Sequence, residues 1–385
     1  MNVDALPASG RRDFYLGFEA RFYRSVDILF NNQFRFFHNR EELEACPARG
    51  ARARHGRAAM IGRIKTTRTI TADMETTRYN KAHPAAALTA GAAVDAAGAD
   101  ATKRDGTAAL SSVTTRDGIE LPLYRWSAIG GRRATLALVH GLAEHAGRYA
   151  ALAERLNAAG IELLAIDLRG HGGAPGKRAR IERFDDYLLD AEALLSVAAR
   201  DGAPLFLMGH SMGGAIAALY AVERLADSGR QLAGLILSSP ALAPGRDVPR
   251  WMLTMSQIIS RIWPGFPAMK IDAALLSRDP AIVEANRNDP LVHHGSIPAR
   301  TGAEILLAMQ RIERGRAGLR VPLLVYHGTA DKLTEPDGSR AFGKHAGSPD
   351  KTLTLHEASY HETMNDLDRE QVIGELIGWI EARCG

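Results

Sequence analysis

Residues 206–214 read Phe206-Leu-Met-Gly-His-Ser-Met-Gly-Gly214, and this stretch decides the fold. An apolar run from Pro204 to Met208 is typical of a short buried strand, and the alanine-rich residues after Ser211 are typical of a helix. Gly209 and Gly213 flank Ser211 in the G-x-S-x-G spacing of a sharp strand-to-helix turn. Because glycine has no Cβ, it fits where such a turn brings neighbouring positions close together. We therefore predict a strand, a tight turn that exposes Ser211, and a helix.

A serine in this position is suited to nucleophilic chemistry. The turn would place the Ser211 hydroxyl at the start of a helix, where free N–H groups and the helix dipole stabilise a developing negative charge. The alternative is an ordinary strand–turn–helix in which Ser211 only caps the helix. The strand before the motif and the helix after it favour the nucleophile.

Outward from this turn, the chain from Ser111 onward alternates between predicted strands and helices. Such alternation indicates an α/β fold with a mostly parallel sheet that has helices on both faces. Asp117-Gly118 lies between two short strand patterns and predicts a hairpin at an antiparallel edge. The predicted strands are 113–115, 121–125, 134–140, 161–167, 204–208, 232–239, 321–326 and 352–355, and the predicted helices are 149–158, 184–199, 211–225, 302–312, 339–344 and 372–382.

Residues 1–110 differ from the rest of the chain. They hold 17 lysine and arginine residues against 12 acidic ones, whereas the remainder holds 31 against 32. Residues 84–109 are rich in alanine, glycine, aspartate and threonine and have the composition of a flexible linker. We predict that 1–110 is an extension that is largely disordered or precedes the true start of the protein, for which Met60 and Met74 are alternatives. The α/β domain would then span 111–385.

Composition narrows the classes of function. Hydrophobic residues make up 46% of the chain and charged residues 24%, as in ordinary globular proteins. The two cysteines, Cys46 and Cys384, form no disulfide framework, and no apolar run is long enough to span a membrane. We expect a cytoplasmic protein that binds no nucleic acid, since no recognition motif accompanies the basic residues. His293 and His294 have no partners at zinc-ligand spacing, so we expect no metal.

Between about 241 and 318 the alternation stops, which predicts a helical lid inserted into the α/β domain. Its first part is strongly apolar and is broken by Pro264 and Pro267. These side chains could pack wholly inside the protein, line a binding site for an apolar chain, or contact a lipid surface. The candidates for substrate binding are Trp251, Met255, Ile259 and Trp263.

Several motifs in order resemble the monoacylglycerol lipase and lysophospholipase group of α/β hydrolases. The resemblance covers about residues 112–384 and leaves the first hundred unexplained. Two positions depart from the family pattern: Ala174 stands where serine is usual, and Ser359 where glycine is frequent. The matching stretches are Val139-His-Gly-Leu-Ala-Glu-His-Ala-Gly-Arg-Tyr149, Gly209-His-Ser-Met-Gly-Gly214, Ser277-Arg-Asp-Pro280, Asn288-Asp-Pro-Leu291 and His327-Gly-Thr-Ala-Asp-Lys332.

The resemblance implies a catalytic triad of Ser211, Asp331 and His361, in the chain order that α/β hydrolases use. Asp331 follows a predicted strand, and His361 lies in the loop after the next one. The rival base is His356, which falls at the strand end, where it is less able to reach the serine. The rival acid is Asp337, whose Glu-Pro-Asp-Gly setting is typical of a turn or helix start.

The resemblance also implies an oxyanion hole made by the backbone N–H groups of Leu142 and Met212. Glu144, His145 and Arg148 could form a polar cluster beside it, and we expect this cluster to hold the loop rather than to act in catalysis.

Taken together, the motifs imply an esterase without cofactor that acts on monoacylglycerols, lysophospholipids or simple acyl esters through an acyl-enzyme. A short-chain esterase, a thioesterase and an acyltransferase on the same triad stay open, as does a non-catalytic binding protein on the same scaffold. The sequence leaves peripheral contact with membranes and the oligomeric state open.

Overall fold

The computed structural model describes residues 108–199, 202–245 and 250–384. The predicted extension lies outside these residues, apart from its last three. The strands described there are β1 (Ala109–Thr114), β2 (Glu120–Trp126), β3 (Ala134–Val139), β4 (Ile161–Ile166), β5 (Leu205–His210), β6 (Gly234–Ser238), β7 (Pro267–Met269), β8 (Ile297–Pro298), β9 (Leu323–Gly328) and β10 (Lys351–His356). The α-helices are α1 (Ala150–Ala158), α2 (Phe184–Ala198), α3 (Met212–Glu223), α4 (Arg250–Ile262), α5 (Pro280–Asn288), α6 (Ala299–Gly315), α7 (Pro336–His345) and α8 (Arg369–Glu381).

Eight strands form one sheet in the order β1-β2-β4-β3-β5-β6-β9-β10. In this sheet β2 pairs antiparallel with β1 and with β4. The other neighbours, from β4 across the sheet to β10, pair parallel. The turn between β1 and β2 contains Gly118 at a φ of 85°, a conformation that glycine adopts without strain. The predicted mostly parallel sheet with an antiparallel edge hairpin is confirmed.

Helices cover both faces of the sheet. On one face α2, α3 and part of α7 bury the apolar side chains of the central strands, and on the other face α1 and α8 do so. Every residue of β3, β4, β5 and β6 is buried. This explains why these strands read as continuous apolar runs instead of alternating patterns.

The insertion between β6 and β9 contains α4, β7, α5, β8 and α6. The predicted helix 302–312 is the centre of α6, whereas α5 was not predicted. Only Val283 and Asn286 are buried in α5, so few apolar contacts mark this nine-residue helix in the sequence. Asp279 caps α5, its carboxylate accepting the N–H of Ala281 at 3.0 Å.

The two halves of the insertion are held differently. In α6 the Thr301 hydroxyl donates to the Ala179 carbonyl at 2.8 Å, and Glu304 accepts the N–H of Phe184 at 2.9 Å. Both contacts reach the loop before α2, and both are buried. The second half of the insertion is therefore a fixed part of the domain.

Helix α4, in contrast, leaves large apolar side chains in solvent. Ile262 is 78% exposed, and Met255 and Ile258 are also exposed. The possibility that the apolar residues of this stretch all pack inside is therefore wrong. Of the other predicted candidates, Ile259 and Trp263 are half-buried, and the side chain of Trp251 lies outside the described part of the chain.

Candidate active site

Ser211 lies between β5 and α3 with φ 55° and ψ −118°, a conformation that side-chain-bearing residues rarely adopt. Backbone hydrogen bonds to α3 and to the neighbouring strand segment hold it there, the former from the N–H of Ala215 at 3.2 Å. The N–H of Ser211 donates to the Ser238 carbonyl at 3.0 Å, and its carbonyl also accepts the N–H of Ala241 at 3.0 Å. The Ser211 side chain makes no capping hydrogen bond to α3, so the alternative role as a helix cap is wrong.

The two glycines of the motif are required by close backbone contacts. A Cβ on Gly209 would collide with the backbone of Gly213, and a Cβ on Gly213 would collide with the carbonyl oxygen of Val139. The turn can therefore form only if both positions lack a side chain, as the sequence motif predicts.

The loop after β3 lies against Ser211. A Cβ placed on Gly141 would be 3.2 Å from the Cβ of Ser211. Within the described residues, the N–H groups of Leu142 and Met212 have no acceptor. Met212 is the first residue of α3, whose first four N–H groups have no intrahelical partner. Two unsatisfied donors thus lie on the two segments that flank the serine.

A buried histidine holds this loop in position. His140 Nε2 accepts the N–H of Leu168 at 3.0 Å, so its Nδ1 carries the proton and donates to the Gly141 carbonyl at 2.8 Å. Burial lowers the pKa of His140, which keeps the ring neutral. The carbonyl of Gly141 is therefore turned toward His140.

Asp331 follows β9 and His361 follows β10, on neighbouring parallel strands. His361 Nδ1 lies 2.7 Å from Asp331 Oδ2, and both side chains are buried. Burial alone would lower the pKa of His361, but the Asp331 carboxylate raises it above the ordinary value. Burial would raise the pKa of Asp331, but His361 and His327 hold it far below its usual range. Asp331 is therefore ionised and orients the His361 ring.

His210, next to Ser211 in the chain, packs against the same ring. The centroids of the His210 and His361 rings are 4.8 Å apart, and His210 Nδ1 lies 3.0 Å from Ser238 Oγ. Burial and the neighbouring His361 lower the pKa of His210 to about 4. His210 is thus a neutral packing partner of His361.

The rival residues have other neighbours. His356 ends β10, and its Nε2 lies 3.8 Å from the Glu375 carboxylate on α8. Asp337 lies in the first turn of α7, 3.3 Å from Arg340. The structure brings Asp331 and His361 together, whereas His356 and Asp337 lie elsewhere and contact Glu375 and Arg340.

A buried ion network links the loop after β3 to the loop that carries His361. Arg148 donates to Glu144 at 2.7 Å and to both carboxylate oxygens of Glu362 at 2.7 and 2.9 Å. Glu144 in turn accepts the N–H of Gly141 at 2.6 Å and the hydroxyl of Tyr149 at 2.9 Å. Glu362 was missed in the sequence, although it directly follows His361.

The insertion also contacts the loop after β3. His145 Nε2 lies 2.9 Å from Asp289 Oδ2, and the N–H of His293 donates to the Ala143 carbonyl at 2.8 Å. Asp289 belongs to a stretch that the sequence singled out only by resemblance. This part of the insertion therefore packs against the loop that carries the N–H group of Leu142.

No cluster of histidine, cysteine and acidic side chains in the described ranges could hold a metal ion. In the same ranges no helix is both long and apolar enough to cross a membrane.

The sheet order, the strained serine between β5 and α3, and the Asp331–His361 pair define an α/β hydrolase of the serine type. Comparison with known proteins agrees with this class. The family model described as "Serine aminopeptidase, S33" matches residues 130–368. The chain belongs to this family of α/β hydrolases, within its monoacylglycerol lipase group.

Three relatives illustrate the group. The chain is 34% identical to a monoacylglycerol lipase of Mycolicibacterium smegmatis over 68% of this chain and 93% of that one. It is 32% identical to a monoglyceride lipase of Homo sapiens over 71% of this chain and 91% of that one. The crystal structure of a Paleococcus ferrophilus monoacylglycerol lipase superposes with a TM-score of 0.60 at 34% identity, covering 68% of this chain and 99% of that one.

Proposed function

We propose that this protein is an esterase that hydrolyses carboxylic esters of acyl lipids, with monoacylglycerols and lysophospholipids as the substrate class. The observation that carries the proposal is the buried Asp331–His361 pair at 2.7 Å, whose histidine packs against His210, the residue before the strained Ser211. Relatives named monoacylglycerol lipase and monoglyceride lipase, at 34% and 32% identity, support the choice of substrate.

In the proposed first step, Ser211 Oγ attacks the ester carbonyl while its proton passes to His361 Nε2. His361 Nδ1 keeps its proton, which it donates to Asp331. The ionised Asp331 stabilises the imidazolium that forms. The tetrahedral intermediate collapses as His361 gives its proton to the alcohol oxygen, and the acyl group stays on Ser211.

In the second step, water replaces the alcohol. His361 takes a proton from the water as its oxygen attacks the acyl carbon, and returns it to Ser211 Oγ as the acid leaves. In both steps the negative oxygen would be stabilised by the N–H groups of Leu142 and Met212, whose freedom from other acceptors supports this role.

The insertion would supply the acyl site. Ile259 and Trp263 of α4 are half-buried and suit contact with an acyl chain, whereas the exposed Met255, Ile258 and Ile262 suit contact with a lipid aggregate. An amphipathic helix on the surface can do both, because its two sides face different surroundings.

The test is acid release from long-chain monoacylglycerol, lysophospholipid, short p-nitrophenyl esters and acyl-CoA, by wild type and Ser211→Ala. We expect release that depends on Ser211 and is fastest on the two lipid classes. Ser211-dependent cleavage of short esters or acyl-CoA alone would replace the lipid substrate with a general esterase or thioesterase. If folded wild type cleaves none of them, the hydrolase proposal is wrong and a binding role remains.

A further inference from the structure

The carboxylate of Asp331 accepts hydrogen bonds from several groups besides His361. Its Oδ1 accepts the N–H groups of Leu333 at 2.7 Å and Thr334 at 3.1 Å. Its Oδ2 lies 2.7 Å from His361 Nδ1 and also 3.0 Å from Nε2 of a second histidine, His327. Two imidazole rings therefore share one carboxylate oxygen.

The state of the second ring follows from its neighbours. His327 is fully buried at the end of β9, and its Nδ1 lies 2.7 Å from the hydroxyl of the buried Ser339 on α7. The ionised Asp331 can only accept, so His327 Nε2 carries a proton and donates it. The hydroxyl of Ser339 can donate to Nδ1 or accept from it. Ser339 thus holds the ring on the side opposite Asp331, with Nε2 directed at the carboxylate.

The hydroxyl of Thr334 completes the set. It lies 2.8 Å from Asp331 Oδ2 and 3.0 Å from the Ser239 carbonyl, and its single proton can serve only one of these acceptors at a time. The same hydroxyl lies 3.2 Å from His327 Nε2 and 3.3 Å from His361 Nδ1, so each ring nitrogen is closer to Asp331 Oδ2 than to Thr334.

We propose that His327, oriented by Ser339, is a positioning residue that acts through Asp331 and sets the pH at which His361 becomes a free base. The inference rests on the proposed function. The His327 N–H withdraws negative charge from the oxygen that attracts the His361 proton. Without this donor, the carboxylate attracts that proton more strongly, and His361 needs a higher pH to become neutral.

The experiment compares His327→Leu, His327→Gln and Ser339→Ala with wild type. The two readouts are the pH profile of kcat/KM on a p-nitrophenyl ester and the pH dependence of labelling by a fluorophosphonate. His327→Leu removes the donor, whereas the glutamine amide can place a donor near the position of Nε2. His356→Gln, a buried histidine at the end of the next strand, is the matched control.

We expect His327→Leu to lower kcat by about tenfold, as expected for about 1.4 kcal/mol, and to move the acid limb of both profiles to higher pH. His327→Gln should restore most of the rate and the position of the limb, and Ser339→Ala should shift the limb in the direction of His327→Leu. His356→Gln should match wild type. Thermal unfolding of each variant checks that the protein is folded.

Profiles of folded His327→Leu and Ser339→Ala that superpose on wild type would overturn the inference, since they would leave His327 a structural role only. If His327→Leu does not fold, Ser339→Ala decides by the same criterion. Failure of the proposed function is a separate result: in that case Ser211→Ala would keep the activity or wild type would show none.

Discussion

At Ser211 the backbone adopts a positive φ that costs about 1–3 kcal/mol in a residue with a side chain. The surrounding chain stabilises this conformation through the hydrogen bonds to Ser238 and Ala241 and through the close contact of Gly209 with Gly213. The strained turn is what lifts the hydroxyl out of the sheet and toward the loop after β3.

Gly209→Ala should destabilise the protein by several kcal/mol, because the new Cβ would meet the backbone of Gly213, which cannot move without breaking the turn. We expect a loss of folded protein or a large fall in the thermal midpoint, measured by circular dichroism. Gly374→Ala in α8 is the control, since its Cβ would meet nothing within 4 Å. It should be neutral or stabilising by about 0.5–1 kcal/mol; equal losses in both variants would refute the steric explanation.

The pH dependence of activity should follow His361. Because Asp331 raises the pKa of His361, activity should fall as pH drops through a value above the ordinary histidine pKa of about 6.5. In Asp331→Asn the acid limb should move to lower pH, since burial alone lowers that pKa, and kcat should fall by about 10⁴-fold. The kcat/KM profile measures both. An acid limb that stays in place would show that Asp331 is not the partner of the base.

At the scale of elements, the loops after β3 and β10 are joined by the Glu144–Arg148–Glu362 network. Burial would raise the pKa of Glu144, but Arg148 and other neighbours lower it to about 2. A carboxyl whose pKa is lower in the folded protein than in the unfolded chain stabilises the fold at every pH above its unfolded-state pKa. This stabilisation is lost as the pH falls through the folded-state pKa. The network should therefore keep the two loops together from neutral pH down to strongly acidic conditions.

Arg148→Met should cost about 3–5 kcal/mol, because it leaves two buried carboxylates without their cation. Denaturation by urea at pH 7 measures the loss. Arg155→Met is the matched control, since its ion pair with Glu370 at 2.7 Å is exposed and should be worth about 0–1 kcal/mol. Similar small losses in both variants would show that the buried network contributes little.

The exposed side of helix α4 should matter for aggregated substrates only. Ile262→Asp should reduce hydrolysis of monoacylglycerol in vesicles severalfold, because a charge on the exposed apolar side weakens contact with lipid. Cleavage of a dissolved short ester should stay unchanged. Ile129→Asp, at a position 65% exposed before β3 and outside the insertion, is the control for the added charge. Equal effects on both substrates would place Ile262 in the reaction site instead of at a lipid surface.

For the whole molecule, the sequence predicts the sheet well because its central strands are buried on both faces and bounded by glycine-rich turns. The strand-to-helix turn at 209–213 is predicted because its two glycines stand on either side of Ser211 at the spacing that such a turn requires. The contact of Arg148 with Glu362 is different, because it joins residues 214 positions apart that only tertiary packing brings together. His327 and Thr334 lie close to Asp331 in the chain, but the sequence does not show that both side chains contact its carboxylate.

Dependence on tertiary packing also explains why parts of the insertion were not predicted from the sequence. Helix α5 is nine residues long, is capped by Asp279 and buries only Val283 and Asn286, so few apolar side chains mark it in the sequence. The exposure of Ile258 and Ile262 depends on which side of α4 packs against α6, which the apolar composition of the stretch does not reveal.

Mass spectrometry would test whether Ser211 is the nucleophile of a lipid esterase. The protein is analysed after brief exposure to a long-chain monoacylglycerol analogue bearing a fluorophosphonate group. We predict one covalent adduct per chain, mapped by peptide analysis to Ser211, that is absent in Ser211→Ala and blocked by prior incubation with monoacylglycerol. An adduct on another residue, or no adduct on folded protein that binds the analogue, would contradict the assignment of Ser211 as the nucleophile of a lipid esterase.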